Sequence, residues 1–224
     1  PRGGAPRKKR AGAKEKKAPA TSAQAQANDA EAILRRMAEF LGGAQRFSVS
    51  VRSDYDAVQT SGQKIEFGES RKVTLVRPGR LRVEGESSNG AKVLVVFTGK
   101  EIALFDAAAN VYATAPQPGG VDESIVHFVR DLGMRLPLAM LLVSQLPAEL
   151  KARVRTVEYV EKTRMHGAPA HHIAARTDDV DFQIWIADGG KPLPQRVVLT
   201  YVNAPGDPHI RAQFCDWHPP PRLT

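Results

Sequence analysis

The sequence predicts an α+β protein in which one antiparallel sheet is entered through an N-terminal helix and interrupted once, mid-chain, by a helical insertion. Two patterns predict it. Apolar residues recur with a helical period ahead of Gly42-Gly43, then alternate with period two from Phe47 onward, where Phe47, Val49, Val51 and Tyr55 are interleaved with Ser48, Ser50 and Arg52. Turn signals then punctuate the alternation at Ser61-Gly62, Pro78-Gly79, Asn89-Gly90, Gly99-Lys100, Gly167 and Gly189-Gly190, as a meander of hairpins requires.

The entry helix is expected to start at Asn28, which with Glu31 forms a capping-box pair ahead of Ile33, Met37, Phe40 and Leu41. Residues 1–27 contain no Val, Ile, Leu, Met or aromatic side chain, so they cannot offset their ordering entropy and read as a disordered basic tail. Residues 28–224 form the single expected domain, with the helical insertion at 121–151. The charge is segregated in the same way. Of 32 basic and 24 acidic residues, residues 1–17 hold eight basic and one acidic, which leaves 24 against 23 for the body. A domain that tracks a phosphate backbone is basic on its folded surface, so no specific nucleic-acid partner is expected. Ala25-Gln26-Ala27 resembles a signal-peptidase site, but no apolar core precedes it, so the sequence shows no export signal. One cysteine, Cys215, allows no internal disulfide.

Register is legible at the first Pro-Gly turn. A two-residue loop would pair Leu75 with Arg82, whereas a three-residue loop over 77–79 pairs Leu75 with Leu81 and Val73 with Val83, keeping apolar residues on one face. The longer loop is therefore predicted, with Gly79 in the left-handed region. In the next hairpin Val93, Val95 and Phe97 are expected opposite Ile102 and Leu104, and because Leu94, Val96 and Phe105 make the other face apolar too, both faces are expected to be covered. The insertion places Ile125, Phe128, Val129 and Leu132 on one stripe before Gly133. Pro137 then opens a short helix over Leu138 to Val143 that is apolar nearly all round.

Enzyme chemistry finds little to work with. His171 and His172 are strand neighbours and point to opposite faces, so they cannot chelate one metal together. Cys215 and Asp216 diverge in the same way, and the nucleophile-elbow, phosphate-loop and His-Glu-x-x-His motifs are all missing. Asp178, Asp179 and Asp181 read as a solvated acidic turn. No catalytic residue, metal or cofactor is expected.

The chain resembles the LolA/LolB-like lipoprotein-carrier superfamily over about residues 28–221, and most closely an uncharacterised, predicted-periplasmic branch of it. The resemblance rests on the entry helix and Phe-rich first strand, on Arg77-Pro78-Gly79-Arg80-Leu81-Arg82-Val83-Glu84, and on Phe97-Thr98-Gly99-Lys100-Glu101-Ile102-Ala103-Leu104-Phe105-Asp106. Leu136-Pro137-Leu138-Ala139-Met140-Leu141-Leu142 and the Pro219-Pro220-Pro221 ending extend it. It implies a strongly curved, incomplete antiparallel barrel in the periplasm, with the mid-chain helices as a lid. The implied partner is a hydrophobic ligand, a lipid or the acyl chain of a lipidated protein, held between the concave sheet and the lid. The same fold also serves envelope-stress sensors that bind a membrane-anchored regulator, and both readings stay open.

Within that resemblance the candidate ligand-binding residues are Leu75, Leu81, Val83, Val95, Phe97, Phe182, Ile184 and Ile186 from strands, with Phe128, Leu138, Leu141 and Leu142 from the lid. Each also fits plain core. Arg77 matches the arginine that bonds to the lid in the carrier, so Arg77→Leu is expected to alter lid closure and probe affinity while leaving stability within about 1 kcal/mol; its other reading is a solvated hairpin residue. Trp185 alternates away from Ile184 and Ile186 and is expected on the convex face.

Overall fold

The computed structural model describes residues 20–128 and 138–219. Readings of residues 1–19 and of Val129, Leu132, Gly133 and Pro137 lie outside them. Helix α1 (Ala20–Gly43) leads into β1 (Arg46–Val58), β2 (Lys64–Val76), β3 (Arg80–Ser87), β4 (Lys92–Phe97), β5 (Glu101–Asp106) and β6 (Val111–Pro116). The insertion holds α2 (Val121–Val126), a 3-10 turn (Ala139–Leu142) and α3 (Leu146–Arg153). Strands β7 (Thr156–Met165), β8 (Ala168–Arg176), β9 (Val180–Ala187), β10 (Pro194–Tyr201) and β11 (His209–His218) follow.

All eleven strands form one antiparallel sheet in the order β6-β5-β4-β3-β2-β1-β11-β10-β9-β8-β7. Two meanders, β1 to β6 and β7 to β11, are thus joined where β1 pairs with β11. Among the described residues β6 and β7 are the unpaired edges, so the curved sheet is a half-barrel rather than a closed one. Register shifts interrupt the β1–β11, β9–β10 and β7–β8 ladders, and such bulges add twist where the sheet bends. Since β6 lies at one edge and β7 at the other, the insertion between them has to carry the chain from edge to edge.

Helix α1 fills much of the hollow. Ile33, Leu34, Met37, Ala38 and Leu41 form its buried stripe and share one core with Leu75, Phe97, Ile184 and Ile186. Burying the four large side chains Ile33, Leu34, Met37 and Leu41 at about 2 kcal/mol each contributes roughly 8 kcal/mol before ordering costs. Along its length α1 touches α3, the 3-10 turn, β7 and β9. It starts at Ala20, ahead of the expected Asn28, so positions 28 and 31 lie inside the helix and not at its start. The Ala- and Gln-rich run before Asn28 explains the difference, because extending an existing helix through good helix formers is far cheaper than nucleating one. Phe40 sits at the border of the stripe and is exposed. Among the described residues no helix is long and apolar enough to cross a membrane.

Hairpin registers follow side-chain pattern. The β2–β3 loop has three residues and pairs Leu75 with Leu81 and Val73 with Val83, and β4–β5 pairs Val95 with Leu104 and Phe97 with Ile102. Gly79, however, is not in the left-handed region, which Gly99 occupies at φ 84°. Close packing is the reason for glycine here: a Cβ on Gly99 would sit 3.3 Å from the Gly79 carbonyl oxygen. The expectation that both faces of β4–β5 are covered also fails among the described residues. Leu94 and Val96 are half-buried, and Leu104 and Phe105 are exposed, because α1 packs on the other half of the sheet.

On β1 and β8 to β11 the convex face carries polar cross-links. Trp185 lies there as expected, half-buried, with the His172 ring stacked at 4.0 Å and the Arg196 guanidinium 5.5 Å from its centre. Asp56 accepts hydrogen bonds from the His209 backbone N–H at 3.0 Å, His209 Nδ1 at 2.9 Å and Arg211 Nη1 at 2.9 Å. Burial alone would raise its pKa, but the bonds from Arg211 and His209 outweigh that and hold the carboxyl well below the usual range.

Candidate functional site

Register places Leu75, Leu81, Val83, Val95 and Phe97 on one concave surface spanning β2, β3 and β4. It continues through Ile102 and Leu104 of β5 to Ala115 and Ala113 of β6. Exposure is highest toward the β5–β6 edge of this surface, although Phe97 on β4 is buried. Leu75 and Phe97 are buried in the core, Leu81, Val83, Val95 and Ile102 are half-buried, and Val93, Leu104 and Val111 reach 37%, 45% and 56% exposure. Asp106 interrupts the outer row, its Oδ1 accepting instead from the Ala108 and Ala109 amides at 2.9 and 3.1 Å. The outcome is an apolar wing, continuous with the core but open.

Phe182, Ile184 and Ile186 share the same concave face on β9, at the far side of the β1–β11 seam. Ile184 and Ile186 are packed into the core, and Phe182 is half-buried against it. Leu138, Leu141 and Leu142 are half-buried against that core from the lid side, and Phe128 is half-buried with its ring centre 5.8 Å from that of His127. The expected residues therefore fall into two groups. Leu75, Phe97, Ile184 and Ile186 are interior, whereas Leu81, Val83 and Val95 border open space.

The lid is tied down at one corner. Val121 N–H donates to the Pro78 carbonyl at 2.7 Å and Gly119 N–H to the Gly99 carbonyl at 3.2 Å, so α2 starts on the β2–β3 and β4–β5 turns. Glu123 in its first turn accepts from the Gly120 N–H at 2.9 Å, satisfying an amide there. Val121 and Ile125 are buried against the core. Arg77 sits at the junction, its side chain only 8% exposed. Its Nε donates to the Ala44 carbonyl at 3.0 Å, Nη1 to Asp122 Oδ1 at 2.9 Å and Nη2 to the Leu142 carbonyl at 2.7 Å. Asp122 in turn accepts from the Ser144 backbone N–H and hydroxyl. One guanidinium thus joins the end of α1, the start of α2 and the end of the 3-10 turn. It is no solvated hairpin residue.

Sequence reasoning left out Ile102, Leu104 and Val111 although it had paired the first two correctly, because alternation alone does not say which part of a face α1 will cover. It also missed Asp122 and Ser144, whose only signal was their place in a segment expected to be a lid. His171, Cys215 and Asp178, singled out in the sequence, make structural contacts. Tyr159 Oη and His171 Nδ1 lie 3.1 Å apart, His171 Nε2 and Asp188 Oδ1 3.2 Å, and Lys162 Nζ and Asp188 Oδ2 2.7 Å. Burial pushes the Tyr159 hydroxyl up. Cys215 is half-buried with Sγ donating to the Ser50 carbonyl at 3.6 Å, and burial pushes its thiol up as well, away from nucleophilic reactivity. Asp178 of the acidic turn pairs with Arg155 at 2.6 Å.

Residues 30–224 match the family described as "Predicted periplasmic protein (DUF2092)". The chain belongs to this family. Its periplasmic description agrees with the compartment the resemblance implied. No curated protein matches the chain. In structure the chain is similar to the lipoprotein LppX of Mycobacterium tuberculosis, at 14% identity and a TM-score of 0.56, covering 88% of this chain and 99% of that one. LprF of Mycobacterium bovis is similar at 13% identity and a TM-score of 0.56, covering 88% and 96%. A LolA superfamily protein of Nitrosomonas europaea aligns at 9% identity and a TM-score of 0.41, covering 86% and 94%. At 14% and 13% identity the likeness to LppX and LprF is one of fold alone, an open, curved antiparallel half-barrel.

Proposed function

We propose that this protein is a non-enzymatic periplasmic binder or carrier of a lipid or lipidated chain, its acyl group lying along the concave wing beside the lid. The observation that carries this reading is the outward continuation of the core: Val83, Val95, Val93, Leu104 and Val111 keep the concave surface apolar where no described residue covers it. An acyl chain laid there contributes about 0.8 kcal/mol per buried methylene, so burying roughly half of a 14-carbon chain gives on the order of 5–6 kcal/mol before ordering costs. Interior Leu75, Phe97, Ile184 and Ile186 form the floor; Leu81, Val83 and Val95 make contact, with Phe128, Leu138, Leu141, Leu142 and Phe182 at the margins.

Natively purified protein is expected to release lipid on solvent extraction, detected by mass spectrometry, and delipidated protein to enhance an apolar fluorescent probe. Leu104→Glu places a charge on an exposed wing position, so it should weaken probe binding at least tenfold while leaving the melting temperature unchanged. Lipid-free protein that ignores the probe, or a Leu104→Glu variant that binds it like the wild type, refutes the reading. Probe-inactive protein that instead captures a membrane-anchored regulator favours the sensor.

A further inference from the structure

The two free edges of the sheet are built differently. Strand β7 carries Glu158, Glu161, Lys162 and Arg164, is bulged between Tyr159 and Glu161, and packs against α1. Charges, bulges and covering elements are the devices that stop an edge from recruiting another strand. Strand β6 carries no charge and no bulge, is covered by no described residue, and has its one edge-blocking residue, Pro116, at its very end. It reads Val-Tyr-Ala-Thr-Ala-Pro, pairs with β5 without a bulge, and is exposed at every residue, with Tyr112 at 77%.

Its outward hydrogen-bonding groups can be assigned. Gln117 N–H donates to the Lys100 carbonyl, and in this ladder Pro116 lies opposite Glu101. Hydrogen-bonded pairs alternate along an antiparallel ladder, so Val111, Ala113 and Ala115 turn their backbone groups toward β5, and Tyr112 and Thr114 turn theirs outward. We propose that β6 pairs antiparallel with β6 of a second copy of this chain, about a two-fold axis at Ala113. In that register Tyr112 faces Thr114 of the second copy, each such pair exchanges two backbone bonds, and every outward N–H of the strand is satisfied. Pro116, which has no N–H to offer, falls beyond the paired stretch.

The edge is complementary to itself rather than to an arbitrary strand. Uncharged residues meet uncharged residues, Val111 stands over Ala115 of the second copy, and the small Ala113 meets its own mate at the axis, where bulk or charge would clash. Pairing also brings the exposed Val111 and Tyr112 of each copy to the seam, on the concave and convex faces respectively. Sheets so joined run the two concave wings together into one apolar trough. The interface is short, so the dimer belongs to the weak, concentration-dependent class. It forms independently of what the concave face binds.

Sedimentation velocity on the full-length chain, from millimolar to low micromolar concentration, should show a reversible monomer–dimer equilibrium. Thr114→Pro removes an outward N–H and no β5 bond, so it should abolish the dimer and leave the melting temperature unchanged; Ala113→Lys should do the same by setting like charges at the axis. Ala113→Cys in a Cys215→Ser background should form an interchain disulfide under mild oxidation, because Cα atoms of a non-hydrogen-bonded pair lie about 4.5 Å apart. Amide exchange at Tyr112 and Thr114 should slow as concentration rises. A chain monomeric throughout overturns the proposal, as does protection at Tyr112 and Thr114 that is independent of concentration, which would mean that another segment of the same chain covers β6. Dimers that persist in Thr114→Pro and Ala113→Lys overturn it too, by placing the interface elsewhere.

Discussion

Arg77→Leu removes three hydrogen bonds from one side chain, to the Ala44 carbonyl, Asp122 Oδ1 and the Leu142 carbonyl. Hydrogen bonds involving a charged group contribute about 1.5–3 kcal/mol each, and breaking a buried ion pair typically costs about 3–5 kcal/mol. Both figures need discounting here, because Asp122 is 26% exposed and keeps its bonds to Ser144. The expected loss is about 2–4 kcal/mol, which revises upward the roughly 1 kcal/mol expected from the sequence, and for a domain of this size lowers the melting temperature by about 5–12 °C. Thermal denaturation followed by circular dichroism reads the global cost. Amide exchange at α2 and the 3-10 turn reads the local one, and should accelerate more there than in β8 to β10. Arg77→Lys should recover little, since a single ammonium on a flexible stem cannot reach three divergent acceptors. Pairing Arg77→Leu with Asp122→Asn in a double-mutant cycle should give a coupling of at least about 1 kcal/mol. A melting temperature within about 1 °C of wild type, with unchanged exchange across the lid, would show that the guanidinium holds nothing together.

Asp56→Asn should cost about 2 kcal/mol at neutral pH through the lost bonds from Arg211 and His209. Since the folded-state pKa is depressed, that stabilisation is fully present above the ordinary carboxylate value near 4 and is lost as pH falls below it. The stability gap between wild type and variant, measured by urea titration, should persist to about pH 5 and narrow only below about 4; a gap already closed at pH 5 contradicts the assignment. Gly42→Ala and Gly43→Ala make a paired test of how closely α1 meets the lid. A Cβ on Gly42 would lie 2.5 Å from the Ser144 carbonyl oxygen, while one on Gly43 meets nothing within 4 Å. Helix propensity favours alanine at both, so Gly42→Ala should destabilise by about 1–3 kcal/mol and Gly43→Ala should be neutral or slightly stabilising in chemical denaturation. Equal effects would mean that the α1–Ser144 contact is not close.

How far each feature could be read follows the range of the interaction behind it. The β2–β3 register was legible because Leu75, Leu81, Val73 and Val83 are near in sequence, and only one loop length puts them on one face. The side of Trp185 was legible for the same local reason. Helix α1 beginning at Ala20 was not, because Asn28-x-x-Glu31 is an N-terminal signal that neighbouring helix formers can override. The candidate site was legible as a face and not as a surface. Alternation put Leu75, Phe97, Leu81, Val83 and Val95 together, but only the packing of the whole core made the first two interior and left the rest half-buried.

Alternation and turn chemistry determined the hairpins, the helical interruption and the two apolar faces of β4–β5, since strand period and turn geometry depend on residues a few positions apart. Tertiary structure alone decided that β1 would pair with β11, that α1 would fill one half of the concavity, and that Arg77 would meet Asp122 and Leu142. Those contacts bring together groups far apart along the chain, and which of many chemically equivalent apolar faces and acceptors comes within reach depends on the whole fold competing for the same space.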